Sequence, residues 1–276
     1  MKYILKFALL FLILVLNSCS KNEKEISLIK EIDQEAEMIS AYKEGFKELE
    51  SGDAFSAAVK FLESELLFPQ SDWAPKSLLM AAYSYYSQDY YTEAIFNLER
   101  FIKTYQDDER LDYAYYLLGM CYYEKIEGEK KDLQPLLTAK KNFDHVIDNY
   151  PNTDLALDSK LKNGLINDIL ASKEMYIARY YIKKKKWIPA INRFKNIINY
   201  YETTIYAEEA LHRLVEIHYK IGLNDEAKKY AILLGYNYLS GEWYKKSYKL
   251  YNRDYGTKTV IKEKSGLLKK FKKIFE

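Results

Sequence analysis

The amino-acid sequence predicts an all-α protein built from repeated helix pairs. Apolar residues recur at i, i+3, i+4 and i+7 through most of the 276-residue chain, which is the spacing of one face of an α-helix. Short turn signals such as "SGD", "SQD" and "GLND" separate these segments. No long segment alternates with the period of two that a half-buried strand requires.

The first eighteen residues have the pattern of a signal peptide. Lys2 and Lys6 precede an apolar run over residues 7–16. As a helix this run is too short to span a hydrocarbon core of about 30 Å. We therefore predict that residues 1–18 are removed.

The string Leu16-Asn17-Ser18-Cys19 follows this run and resembles the lipobox of bacterial lipoproteins. The resemblance implies that Cys19 is diacylated and becomes the new N-terminus, with residues 19–32 as a lipidated tether. It also implies export to the outer membrane, because Ser20 rather than Asp follows the cysteine. The alternative is an ordinary signal peptide in which the cysteine is incidental.

Charge and cysteine content exclude two broad classes of protein. The chain has 42 Lys and Arg against 40 Asp and Glu, and two of the lysines lie in residues 1–18, so the predicted mature chain has no net charge. A general nucleic-acid binder needs a basic excess. Only Cys121 remains besides Cys19, which leaves no disulfide framework within one chain.

Two segments share the spacing A-x3-F-x7-P: Ala57, Phe61 and Pro69 in one, and Ala139, Phe143 and Pro151 in the other. This is the second-helix signature of the tetratricopeptide repeat, a helix-turn-helix unit. Anchor alanines at equivalent places predict five degenerate units. They are Ala57, Ala94, Ala139, Ala190 and Ala227. We predict that residues 33–252 form a right-handed solenoid of these units.

The third and fourth units depart from the regular spacing. Gly119, the small residue where the helices of unit three cross, lies twenty residues before Ala139, which predicts a charged loop inserted around "EGEKKDLQP". Residues 153–184 contain no proline, so we predict one overlong first helix in unit four. The run "KKKKW" ends this helix, and Pro189 opens the next one.

These features together resemble the BamD family of outer-membrane lipoproteins, which belong to the machine that folds β-barrel proteins into the outer membrane. The strings "LERFIKTY", "LDYAYYLLGMCYY", "ARYYIKKKKWIPAINRF" and "GYNYLSGEWYKKSYKLY" look like segments of that family in matching order. The resemblance covers residues 19 to about 252. Its last string looks like the alphaproteobacterial form.

The resemblance implies a protein that binds other proteins. Its expected partners are the periplasmic domains of the barrel-forming subunit, accessory lipoproteins, and unfolded outer-membrane precursors whose C-terminal segment ends in an aromatic residue. The expected location is the periplasmic face of the outer membrane. Trp187 and Arg193 match the family segment that contacts the barrel-forming subunit.

A peptide groove is predicted from the first helices, which line the concave face of tetratricopeptide arrays. Residues three before, one after and four after each close-packed small residue should point into this groove. They are Tyr42, Phe46, Leu49, Leu79, Tyr83, Tyr86, Tyr116, Met120 and Tyr123. Tyrosine offers rigid apolar area and a hydroxyl that can reach a peptide backbone. The alternative is that several of these side chains are core between successive units.

Residues 253–276 form a basic tail. Leu267, Leu268, Phe271, Ile274 and Phe275 fall on one helical face, and lysines fall mostly on the other. This pattern favours binding to a partner or to an anionic membrane surface. A cap on the last repeat is the alternative.

We predict no catalytic site, no metal site and no cofactor. His212 and His218 are six residues apart and do not share a helical face as a metal pair would, and no phosphate loop or nucleophile motif appears. Two other functions stay open: a lipoprotein scaffold for cell-wall enzymes, and a periplasmic holdase. A holdase should be released from the membrane, and a scaffold should lack the unit-three loop.

Overall fold

The computed structural model describes residues 23–125 and 132–251, with side chains from residue 34 to residue 250 outside the gap. Within these ranges the chain is all-helical and contains no strand, which confirms the predicted all-α class. Cys19 and the basic tail, 253–276, lie outside the described residues. None of the described helices combines the length and the apolar content needed to cross a bilayer.

The chain divides into two compact units, the first of which ends at Lys125. Its helices are α1 (Glu23–Ser51), α2 (Ala54–Leu67), α3 (Trp73–Ser87), α4 (Tyr91–Thr104) and α5 (Leu111–Glu124). Each of these helices packs against the next along the chain. Helix α1 begins within the range predicted as a tether, 19–32, so part of that range is helical.

The second compact unit begins after Lys125 and contains six described helices. They are α6 (Gln134–Asn149), α7 (Asp154–Lys183), α8 (Trp187–Tyr200), α9 (Ala207–Lys220), α10 (Asn224–Asn237) and α11 (Glu242–Tyr251). Successive helices pack together, and α9 also contacts α11. The predicted third repeat is divided between the units, because α5 belongs to the first unit and α6 to the second.

Three of the predicted turn signals contain residues in the left-handed backbone region. Gly52 has a φ of 91°, Asp89 of 63° and Gly222 of 84°. Immediately after Gly52, Asp53 caps α2, because its Oδ1 accepts a hydrogen bond of 2.9 Å from the Ser56 backbone N–H. The turn and the cap together fix where α2 begins.

The predicted overlong helix is confirmed as α7, which has 30 residues. The Thr153 side chain caps its first turn by accepting a 3.2 Å hydrogen bond from the Ala156 N–H. The helix ends at Lys183, and Lys185 then takes a left-handed φ of 56°. Pro189 lies in the first turn of α8, where a missing N–H costs no helical hydrogen bond.

The anchor alanines form the centre of both cores. All five are fully buried: Ala57, Ala94, Ala139, Ala190 and Ala227. Phe61, Phe143 and Phe194, each four residues after an anchor, are also fully buried. The repeat spacing therefore identified the residues that hold each helix pair together.

Replacement of two glycines by alanine is expected to change the free energy of unfolding in opposite directions. A Cβ on Gly45 would lie 2.9 Å from the buried Phe61 ring, so Gly45→Ala is expected to lower the free energy of unfolding by about 1–3 kcal/mol. Gly164, inside α7, has nothing within 4 Å of such a Cβ, so Gly164→Ala should raise it by about 0.5–1 kcal/mol. Urea unfolding of both variants measures the difference. Equal effects would contradict the close approach of α1 to Phe61.

Candidate binding surfaces

An open pocket in the first compact unit brings together three of the predicted groove residues. Its volume is about 430 Å³, and its wall is mostly apolar. The lining residues are Tyr42, Lys76, Leu79, Met80, Tyr83, Arg110 and Tyr113. We call this site the tyrosine pocket. Its lining residues within helices come from α1, α3 and α5, which are the first helices of the first three of the five predicted repeats.

Aromatic packing beneath the pocket fixes the position of Tyr42. Its ring meets the rings of Phe61 and Trp73 edge-on, with centroids 5.2 Å and 5.0 Å away. Phe61 is fully buried and lies against Gly45, so α1 comes close to α2 at this point. The pocket wall on this side is therefore supported by the core of the unit.

Two basic side chains line the tyrosine pocket, and one of them is paired within the chain. The Arg110 Nε donates a 2.7 Å hydrogen bond to Asp108 Oδ1, and this contact holds the pKa of Asp108 below its usual value. Lys76 Nζ lies 5.2 Å from the centre of the Trp73 ring. An apolar pocket with positive charge at its rim suits a ligand that combines an apolar side chain with a carboxylate.

The hydroxyls of Tyr42 and Tyr113, both in the pocket wall, remain protonated at neutral pH. Burial raises the pKa of Tyr113 to about 12. Burial also raises the pKa of Tyr42, and nearby Arg110 acts in the opposite direction. A protonated phenol can donate a hydrogen bond as well as accept one, which suits contact with a peptide backbone.

The other predicted groove residues do not line this pocket. Phe46 is exposed and packs edge-on against Phe61, and Tyr86 is half-buried with its ring 5.9 Å from Tyr91. Leu49, Tyr116 and Tyr123 are half-buried, whereas Met120 is only 8% exposed and lies largely in the core.

The sequence pattern missed four lining residues. They are Lys76, Met80, Arg110 and Tyr113. Lys76 and Tyr113 each lie six residues before the close-packed Ala82 and Gly119, so the groove pattern extends one helical turn further than predicted. Arg110 immediately precedes α5 and had no periodic signal.

The predicted partner residues lie on α8 in the second unit. The Arg193 side chain is 39% exposed, and its Nη1 donates a 2.9 Å hydrogen bond to Glu174 Oε1 on α7. The other oxygen of Glu174 accepts a 3.0 Å hydrogen bond from Asn196. Trp187 packs against the second core, and Lys220 Nζ lies 4.7 Å from its ring centre. Arg193 is thus held at the surface by an internal carboxylate.

The histidines and Cys121 have structural surroundings. His212 Nδ1 lies 2.7 Å from Ser247 Oγ, and His218 Nδ1 lies 2.7 Å from the Leu214 carbonyl oxygen. Cys121 is fully buried, and burial raises the pKa of its thiol to about 12. In the part of the chain that the structure describes, no group of three or more His, Cys, Asp or Glu side chains could hold a metal ion.

Stability is expected to fall in mild acid because of His212. Burial lowers the pKa of His212 to about 4 from an ordinary value of 6.5, and neighbouring Arg213 lowers it too. Between these values the unfolded chain binds the additional proton, so the free energy of unfolding declines as the pH drops from about 6.5 towards 4. Urea midpoints at pH 7 and pH 5 measure the decline, which should be smaller in His212→Asn. An unchanged decline in that variant would contradict the assignment to His212.

Comparisons with known proteins cover most of the chain. A family model described as an outer membrane lipoprotein, YfiO, matches residues 34–233. The outer membrane protein assembly factor BamD of Rickettsia prowazekii (strain Madrid E) is 41% identical over 243 residues, which cover 88% of this chain and 94% of the relative. The protein of the same name from Caulobacter vibrioides is 38% identical over 88% of this chain and 78% of its own length.

Among solved structures, the TPR2AB domain of yeast Sti1, in its complex with pHSP90, is similar at a TM-score of 0.43. It is 13% identical, and the match covers 80% of this chain and 86% of that chain.

Proposed function

Because this chain belongs to the outer membrane lipoprotein family YfiO, we propose that it is a non-enzymatic subunit of the machinery that assembles β-barrel proteins in the outer membrane. In this function it binds two kinds of partner. One is the C-terminal segment of an unfolded precursor, and the other is the periplasmic part of the barrel-forming subunit.

The tyrosine pocket is the observation that carries this proposal. It combines apolar walls, the protonated hydroxyls of Tyr42 and Tyr113, and the cation of Lys76 within one depression of about 430 Å³. A peptide that ends in an aromatic residue carries the matching groups: a large apolar side chain, backbone amides and a terminal carboxylate. Lys76 is the group that would face the carboxylate, because the Arg110 guanidinium group is already paired with Asp108, and Tyr83 would pack on the side chain.

Arg193 supports the second binding partner. Glu174 engages one nitrogen of its guanidinium group, and the side chain remains partly exposed. A planar guanidinium group has further N–H donors and can bind a partner's carboxylate while it keeps its internal contact. We propose that Arg193 forms such a contact with the barrel-forming subunit, and that Trp187, at the start of α8, makes a separate contact.

The membrane attachment rests on Cys19. Two or more acyl chains hold a protein stably on a bilayer, whereas one chain gives only marginal binding. A diacylated Cys19 would therefore hold the helical units at the periplasmic face of the outer membrane. Conversion of Cys19 to Ala should prevent acylation, so the chain should no longer be recovered with the outer membrane.

A peptide titration tests the pocket. The probe is a fluorescent peptide of about ten residues that alternates apolar and polar side chains and ends in phenylalanine with a free carboxylate. We expect Tyr83→Ala to weaken its binding to the full mature chain by about tenfold. Amidation of the peptide's carboxylate should weaken binding further, because Lys76 then faces no charge.

Tyr90→Ala is the matched control, because Tyr90 is exposed in the same unit and does not line the pocket. Circular dichroism checks that both variants keep their helices. Equal affinity of Tyr83→Ala and the unaltered chain for the free-acid peptide would refute the pocket assignment.

A further inference from the structure

A second apolar surface lies on helix α2, and one of its residues, Leu62, also packs against the repeat core. Phe55, Val59, Leu62 and Leu66 follow one another at i, i+4, i+7 and i+11, so they share one face of the helix. Phe55, Val59 and Leu66 are exposed, and the exposed fraction of Leu66 is 72%. The opposite face of α2 carries the buried Ala57, Ala58 and Phe61. We call the exposed row the α2 stripe.

The α2 stripe continues into a groove between α2 and α4. The groove has a volume of about 690 Å³. Its lining residues are Leu62, Glu65, Leu66, Tyr85, Thr92, Glu93, Phe96, Asn97 and Arg100. Phe96, from α4, is 67% exposed and forms the opposite apolar wall. Soluble proteins rarely expose such a contiguous apolar patch unless something binds there.

Two of the charged side chains that line this groove pair with each other. Glu65 is buried and accepts hydrogen bonds of 2.9 Å and 2.7 Å from the two terminal nitrogens of Arg100. This bidentate pair neutralises the cation in the lining. Glu93 is exposed at the edge, and its carboxylate adds to the effect of burial in raising the pKa of Tyr85. The groove therefore presents apolar walls and an acidic edge.

The walls of the groove favour a helical occupant. The backbone N–H and C=O groups in the middle of α2 and α4 are bonded within their own helices, so they offer no partners to an extended chain. In the tyrosine pocket the phenol hydroxyls can pair with the backbone of an extended peptide, whereas here the apolar walls of Leu62, Leu66 and Phe96 would leave its backbone groups unpaired, which is costly. A helix satisfies its own backbone and can lay a row of apolar side chains between the ridges of α2 and α4.

We propose that the α2–α4 groove is a docking site for an amphipathic helix of a partner protein. The apolar residues of that helix recur at i, i+4 and i+7, and Lys or Arg beside them meets Glu93. The groove differs from the tyrosine pocket in its lining and in the ligand it takes. An anionic membrane surface is a poor match, because the groove edge is acidic.

Two synthetic peptides of identical leucine and lysine composition provide the probe. One has leucines at helical spacing, and the other alternates leucine and lysine. We expect the full mature chain to bind the helical-spaced peptide about tenfold more tightly than the alternating one. Leu66→Asp should weaken that binding by about tenfold. Glu93→Lys should weaken it and reduce its dependence on salt.

Leu157→Asp is the control, because Leu157 on α7 is exposed in the other compact unit. Leu66 and Leu157 are both exposed, so neither substitution should disrupt the packing of a hydrophobic core. Three results would overturn the proposal: equal binding of the two peptides, equal affinity of Leu66→Asp and the unaltered chain, or equal losses in both leucine variants. Vesicles of anionic lipid that bind through Leu66 while the helical-spaced peptide does not bind would overturn it in favour of a membrane surface.

Discussion

Replacement of Phe61 by alanine is expected to lower the free energy of unfolding by about 3–5 kcal/mol. Phe61 is fully buried, and its ring contacts those of Tyr42 and Phe46 at centroid distances of 5.2 Å and 5.6 Å. Alanine would leave a cavity between α1 and α2, because the neighbouring helices relax only partially. Chemical denaturation of the purified mature chain measures the loss.

Phe55→Ala is the control for this prediction. Phe55 lies on the same helix, is 51% exposed, and meets the rings of Tyr85 and Tyr90 edge-on. Its loss should cost about 1–2 kcal/mol, because only about half of its surface is removed from water on folding. Since Tyr42 stands on Phe61, Phe61→Ala should also weaken the tyrosine pocket, whereas Phe55→Ala should not. Similar losses of stability in the two variants would contradict the assignment of Phe61 to the core.

Arg193→Glu is expected to reduce recovery of the barrel-forming subunit with the tagged protein. Truncation of one partner in a desolvated charge pair costs about 2–5 kcal/mol of binding, and reversal places a carboxylate where the proposed partner also carries one. The substitution has an internal effect too, because the new carboxylate would face Glu174. Quantitative co-purification, together with thermal unfolding of the free chain, separates the two effects.

Glu174→Gln distinguishes loss of the ion pair between Glu174 and Arg193 from loss of a contact between Arg193 and the partner. It removes the ion pair with Arg193 and leaves the guanidinium group in place, and a partly exposed ion pair contributes only about 1 kcal/mol or less to stability. We expect near-normal recovery of the complex with this variant. If Glu174→Gln lost as much partner as Arg193→Glu, the contact between α7 and α8 would explain the result, and Arg193 would not be an interface residue.

Local spacing was sufficient to predict the helical elements. The anchor alanines and the phenylalanines that follow them are buried because each helix pair must place small and large residues at fixed intervals. The overlong α7 followed from the absence of a helix breaker before Pro189. The turns at Gly52 and Gly222 followed from residues that tolerate a positive φ.

The binding surfaces were less predictable, because they depend on packing between helices. Met120 has the same repeat position as Tyr83, yet it is nearly buried while Tyr83 lines the tyrosine pocket. Arg110 joins this pocket from just before α5, where helical periodicity gives no information. The Glu174–Arg193 contact joins two helices at a sequence separation of 19, which no local pattern encodes.

The α2 stripe was also absent from the sequence-based predictions. Its spacing is visible in the printed sequence, but α2 carries apolar residues on two faces. Periodicity alone could not determine which face is buried. The small residues Ala57 and Ala58 decide this, because they allow close helix contact, and the larger side chains of the stripe remain outside.

The most direct measurement of the proposed function is the identity of the proteins that stay bound to the full chain after extraction from membranes in mild detergent. We expect a β-barrel protein with repeated periplasmic domains, recovered with the unaltered chain and depleted with Arg193→Glu. Recovery of cell-wall enzymes in its place, or release of the chain from the membrane without a barrel protein, would contradict a function in outer-membrane protein assembly.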